Sequence, residues 1–192
     1  MLILVRHGRT TANAMGLLQG RVDHPLDELG RWQAEAIARA VGTPDRLITS
    51  PLLRARQTAE AFGAPIEFDD RFLELDYGEW DERPVGDVST REWALWRQSE
   101  DFAPPGGESL RTLNQRVSEG LSSLQDEARE SLVVVVCHVS PIKAGIRWAL
   151  GVSDEVSWRL HVAQAQISRI AIRGDRPALV SFNETFHLEG QP

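Results

Sequence analysis

Two uninterrupted apolar runs, at residues 2–5 (Leu-Ile-Leu-Val) and 132–136 (Leu-Val-Val-Val-Val), constrain this chain more than any other feature. A strand with one wet face alternates apolar and polar side chains, whereas an unbroken run has both faces covered. Strands of that kind belong to a mainly parallel sheet with helices above and below. The intervening segments supply such helices. Residues 27–41 place Leu29, Trp32, Ala36, Ile37, Ala40 and Val41 on one helical face, with Asp27 as N-cap and Gly42-Thr43-Pro44 as the stop. Leu110, Leu113, Val117, Leu121, Leu124 and Ala128 recur at steps of three or four and mark a long helix. Ser50-Pro51 and Ser140-Pro141 both read as N-cap plus first helical residue, the second leading to Leu150-Gly151.

Further short strands are expected at 47–49 and 66–68, with two last ones at about 166–172 and 178–183. Residues 76–107 differ in character. They carry Trp80, Trp93, Trp96 and Phe102 among charges, end in Pro-Pro-Gly-Gly, and predict an irregular insertion over one face with a short helix around 90–98. The expected architecture is three-layer α/β/α with a mainly parallel central sheet and a small cap insertion. A chain of 192 residues, 42% hydrophobic and 26% charged, suits one globular domain spanning 1–192.

The net charge of −7 argues against nucleic acid as a partner, since that would call for a basic stripe. One cysteine, Cys137, allows no internal disulfide and points to a reducing compartment. The apolar start is too short for a signal segment, and no run approaches the roughly 20 residues of a membrane helix. A cytoplasmic protein without a membrane partner is expected. No His/Cys spacing suggests a metal, so neither metal nor cofactor is expected.

In open α/β sheets, ligands sit beyond the carboxyl ends of the strands. The first strand ends in Arg6-His7-Gly8. The second leads to Arg54 in the first turn of its helix. The run 132–136 continues into Cys137-His138. Singly, each of these reads blandly: a structural histidine, a surface arginine, a turn glycine. Jointly they place two arginines and two histidines on one edge, beside helix N-termini that add N–H donors. That is a pocket for a phosphate-like dianion. With Arg9, these groups predict a positive funnel in a negative molecule.

Motifs at matched spacing run through almost the whole chain. They are Leu4-Val5-Arg6-His7-Gly8, Asn13, Gln19-Gly20, Pro25-Leu26 with Gly30 and Gln33-Ala34, and Ser50-Pro51-Leu52-Leu53-Arg54-Ala55-Arg56-Gln57-Thr58-Ala59. Leu73-Glu74, Tyr77-Gly78, Gly106-Gly107-Glu108-Ser109 and Val135 to His138 complete the set. In these the chain resembles the histidine phosphatase superfamily, the phosphoglycerate-mutase-like fold, in its branch of short phosphatases.

The resemblance implies that His7 is the nucleophile, forming a phosphohistidine, with its other ring nitrogen donating to a backbone carbonyl. It implies that Arg6, Arg54 and His138 hold the equatorial oxygens, and that Glu74 protonates the leaving oxygen and later activates water. Asn13, Gln19, Gly20 and the Val139 N–H match positions around the phosphate, although turn or capping chemistry equally suits Asn13 and Gln19. The implied substrate is a small phosphorylated metabolite, such as a sugar phosphate, phosphoglycerate-type acid, nucleotide or α-ribazole phosphate. The implied assembly is a monomer or homodimer.

Three positions depart from the family pattern: Arg9 where Glu or Gln is common, Val139 where Gly is usual, and Asp81-Glu82 where Glu-Gly follows the Trp. His24, His161 and His187 match no catalytic position. Other chemistries fit less well. Cys-x5-Arg counted from Cys137 reaches Lys143, Asp69-Asp70 lacks the Asp-x-Asp spacing, and no Gly-x-Gly-x-x-Gly follows the first strand. Within the family the alternative is a mutase, which tends to be longer and to shut out water. A non-catalytic phosphate-binding module is a third reading, opposed by the full set of five residues.

Overall fold

The computed structural model describes residues 1–190. Its elements are β1 (Leu2–Arg6), α1 (Thr11–Ala14), α2 (Glu28–Val41), β2 (Arg46–Thr49), α3 (Leu53–Glu60), β3 (Ile66–Phe68), α4 (Thr90–Gln98), α5 (Leu110–Leu124), β4 (Val133–Cys137), α6 (Val139–Leu150), β5 (Ile167–Arg173) and β6 (Arg176–Glu184). One sheet runs in the order β3-β2-β4-β1-β5-β6. The first four strands in that order are mutually parallel, and β5 and β6 close the far side antiparallel.

The apolar runs explain the layering. Leu2, Leu4, Val133 and Val135 face one core with Leu113, Val117, Leu121, Ile142 and Ile146 of α5 and α6. Ile3, Val5, Val134 and Val136 face the other, with Ile37 of α2 and Ala55 and Ala59 of α3. Every residue of β4 is buried, as an unbroken run between two helical layers requires. No helix is long and apolar enough to cross a membrane among the described residues.

Both Ser-Pro helix starts are displaced from their expected positions. α3 begins at Leu53 behind an N-cap Leu52 whose side chain makes no capping bond. α6 begins at Val139, with His138 at the N-cap and Ser140 already inside. Tertiary partners replace the local caps: the Asp23 carboxylate accepts from Leu53 N, and the Glu74 carboxylate accepts from Val139 N and Ser140 N. The long helix ends at Leu124, and Ala128 lies in a separate 3-10 turn, Glu127–Arg129.

The 76–107 insertion contains α4 and two 3-10 turns, Gly78–Trp80 and Val85–Asp87. Its rings form a cluster. Trp96 stacks parallel on Trp93 at 5.6 Å and meets Trp80, Tyr77 and Trp158 edge-on. Trp80 and Trp96 are buried, so these two pack the cap against the domain.

Candidate active site

β1, β4 and the loop after β2 deliver their ends to one place. A pocket beyond the strand ends is lined by Arg6, His7, Asn13, Gln19, Gly20, Arg54, Glu74 and Val139, together with Leu17, Leu18 and Tyr77. His138 stands beside it, its ring centroid 5.1 Å from that of His7. All the sequence-predicted residues therefore converge except Arg9. Arg9 Nε binds the Asp27 carboxylate at 2.7 Å, half-exposed and away from the pocket.

His7 is held for one job. Its Nδ1 lies 2.7 Å from the Gly8 carbonyl oxygen, which fixes Nδ1 as the protonated nitrogen and leaves Nε2 a lone pair. Arg54 Nε donates to that Nε2 at 3.2 Å. Burial, then the charges of Arg54 and Arg6, hold His7 well below the usual imidazole range, so the ring is neutral near pH 7. His138 is depressed in the same way, chiefly by burial, then by Arg54. Neither histidine adds positive charge to the free pocket. Among the described residues the cationic lining is Arg6 and Arg54, with the Glu74 carboxyl group beside them, and not the wider funnel that five groups would make.

Arg54 is 1% exposed, a burial depth that a surface-arginine reading excludes. Its guanidinium donates to the Val22 and Gly20 carbonyl oxygens at 2.8 and 2.7 Å, which orients its fork. Arg6 donates to the Val162 carbonyl oxygen at 2.8 Å, and burial lowers it to about 10. Arg6 Nε and His138 Nδ1 are buried with no hydrogen-bond partner among the described residues. Buried polar atoms are nearly always satisfied, so an unsatisfied one on a pocket-lining residue, as at Arg6, marks where a polar ligand sits.

Gly8 and Gly30 bring the His7 loop and α2 into backbone contact. A Cβ on Gly8 would collide with the Gly30 carbonyl, and one on Gly30 with the Arg9 carbonyl. Asn13 completes a capping box with Thr10, and the Gln19 side-chain oxygen accepts from the Thr10 hydroxyl. Both thus have a local structural role while also lining the pocket. The Val139 N–H reaches the pocket already bonded to Glu74 at 3.2 Å.

Glu74 is buried and accepts three backbone hydrogen bonds, from Leu75, Val139 and Ser140. Its backbone is clamped by Arg116, which donates to the Leu73 carbonyl oxygen at 2.8 Å and that of Glu74 at 3.2 Å while pairing with Glu108. Sequence reasoning missed this arginine, which sits on α5 with no motif to mark it. It also missed Ser50, whose hydroxyl meets His138 Nε2 at 2.8 Å, and Gln164, whose amide donates to the His7 carbonyl oxygen at 3.0 Å. Ser50 carried a signal, but one that reads as a helix cap.

Cys137 ends β4 fully buried, and burial pushes its thiol up, the opposite of a nucleophile's requirement. His24 faces Glu82 and His187 faces the Ala165 carbonyl, both away from the pocket. Asp81 lies against Gly20, and burial raises its carboxyl to about 6. Glu82 beside it takes a positive φ of 62°, so the loop at this departure from the family pattern has its own shape.

The family model for histidine phosphatase superfamily (branch 1) matches residues 2–185. A bifunctional protein of Mycobacterium tuberculosis is 32% identical over 97% of this chain, and the chain spans about half that relative's length (54%). A protein named a probable phosphoglycerate mutase in Salmonella paratyphi C is 36% identical over 87% of this chain and 82% of its own. Among solved structures, a phosphoserine phosphatase from Entamoeba histolytica in complex with 3-phosphoglyceric acid superposes with a TM-score of 0.90. It shares 27% identity over 97% of this chain and 98% of that one. The chain belongs to the histidine phosphatase superfamily.

Proposed function

We propose that this chain is a phosphomonoesterase that hydrolyses small phosphate monoesters through a phosphohistidine on His7. The observation that carries the reading is the His7 ring, neutral, with Nδ1 on the Gly8 carbonyl and Nε2 beside Arg54. Nε2 attacks phosphorus as the bond to the leaving oxygen breaks. The ring then carries positive charge, which its Nδ1–H shares with the Gly8 carbonyl. Arg6, Arg54 and His138 hold the equatorial oxygens, where charge is concentrated in the transition state. Glu74, entering this half as the carboxylic acid, gives its proton to the leaving oxygen and is left as the carboxylate. In the second half it takes a proton from water as water cleaves the P–N bond and restores His7.

The same reading makes the enzyme cytoplasmic and independent of metal, acting on metabolites such as sugar phosphates or α-ribazole phosphate. It acts as one domain whose 76–107 segment covers the substrate. The phosphoserine phosphatase likeness supports a small acidic metabolite as the substrate class. The Salmonella relative favours a second reading, a mutase that returns the phosphoryl group to another hydroxyl. One experiment separates them. A panel of small phosphate esters is assayed for free phosphate against isomer formation, with acid-quench trapping of label on His7 and an arm containing EDTA. Phosphate release with trapped label, undiminished by EDTA, is expected. Isomers without phosphate release would make it a mutase, and full activity in His7→Ala would overturn the phosphohistidine mechanism.

A further inference from the structure

A second cavity adjoins the phosphate pocket and shares Tyr77 and Val139 with it. Its volume of about 180 Å³ exceeds the roughly 150 Å³ of a dry cavity that holds a benzene ring. The lining is mostly apolar and aromatic: Trp93 and Trp158, whose rings meet edge-on at 6.3 Å, with Leu75, Leu110 and Leu113. One cation enters this lining, Lys143. It lies four residues after Val139 on α6, one turn along the same helix face.

Lys143 is half-buried, and among the described residues it has no hydrogen-bond partner and no carboxylate within 4 Å. Nearby arginines are engaged: Arg83 pairs with Glu92, Arg111 at the start of α5 with Glu100 and Asp101, and Arg97 lies over the Trp158 ring. Glu74 lies near enough for its charge to oppose the lowering of Lys143 by burial, but its oxygens are taken up by three backbone N–H groups. An ammonium half-withdrawn from water without a counter-ion is costly, and an anionic ligand group arriving there removes that cost.

We propose that this cavity is the leaving-group subsite, and that it takes a ring-sized apolar alcohol bearing a carboxylate that pairs with Lys143. The inference rests on the phosphatase reading above. A single ammonium matches a carboxylate monoanion, whereas a second phosphate dianion would call for the arginine forks found on the other side of Tyr77. The tryptophans give the ring flat walls, and Lys143 sets the preference among esters.

The test compares kcat/KM for 4-carboxyphenyl, phenyl and 4-(aminomethyl)phenyl phosphate in the wild-type chain, Lys143→Met and Lys143→Glu. Comparing ratios between variants cancels the differences in leaving-group chemistry. The carboxyphenyl-to-phenyl ratio is expected to fall about tenfold or more in Lys143→Met, the scale of a charged hydrogen bond. Lys143→Glu is expected to shift preference to the aminomethyl ester. In parallel, 4-hydroxybenzoate is expected to quench tryptophan fluorescence, with binding about tenfold weaker in Lys143→Met. Unchanged ratios in both variants, or no quenching in the wild-type chain, overturn the subsite. Quenching without turnover of any ester or label on His7 would instead keep the subsite and overturn the phosphatase reading.

Discussion

Glu74 does two things at once. Its carboxylate caps α6 from across the molecule, and its position in the pocket makes it the proton carrier of the proposed reaction. Glu74→Gln keeps one oxygen for the helix but removes the exchangeable proton. Turnover of esters with poor leaving groups is expected to fall by about 10²–10⁴-fold, the usual worth of a positioned acid. Turnover of 4-nitrophenyl phosphate, whose leaving group needs little protonation, should fall far less. Steady-state kinetics on both substrate types checks this, and equal losses would remove Glu74 from the role. Arg6, His7 and His138 were legible because each ends or follows a strand that its own apolar run announces, whereas Glu74, on a loop after a 3-10 turn, was legible only through the resemblance. Ser50, Gln164 and Arg116 were not, because their partners lie 88, 157 and 43 residues away and leave no local pattern. Arg9 was misplaced for a related reason: nothing adjacent in sequence announces that Asp27 will claim it.

At the scale of elements, periodicity located the strands and helices well, and capping logic failed where it met the site. Ser50 sits before a proline and reads as a cap, yet its hydroxyl is engaged by a histidine from another strand. The helix ends facing the pocket are instead capped by Asp23 and Glu74, so the N–H groups nearest the pocket are already bonded before any ligand arrives. The Gly8–Gly30 contact is the element-scale device that seats the His7 loop on α2. Gly30→Ala would force that backbone pair apart, because the obstructing atoms are main chain and cannot swing aside. A loss of about 1–3 kcal/mol is expected, the range for overpacking, and would be measured by denaturant midpoint. Activity of the remaining folded fraction should also drop, since the His7 loop moves with α2. A variant as stable and active as the parent would show that the contact is dispensable.

Across the whole molecule, the buried histidines tie stability to pH. His7 and His138 sit well below the ordinary value of 6.5 in the folded chain, and only the unfolded chain takes up protons there near pH 6.5. The unfolded state therefore binds more protons as pH falls, and stability falls with it. The limit is about 1.4 kcal/mol per pH unit for each histidine. Melting temperature should decline on going from pH 8 to pH 5, and His7→Asn should flatten part of that slope. A parent melting temperature that does not decline over this range would mean that neither ring is kept neutral by the fold, and an unchanged slope in His7→Asn would mean that His7 is not.

β1 lies between β4 and β5, and the loop after it is fixed by groups far along the chain. Arg6 leans on the Val162 carbonyl, and the His7 carbonyl receives the Gln164 amide. During synthesis, His7 leaves the ribosome well before the groups that fix its loop. The strand that flanks β1 on one side emerges about 130 residues later, and the anchors on the other side later still. A nascent chain thus carries His7 and Arg6 without a site until those segments have emerged. The proposed phosphoryl transfer therefore waits for the closing hairpin, and a partly assembled sheet that already carries His7 has no pocket in which to act.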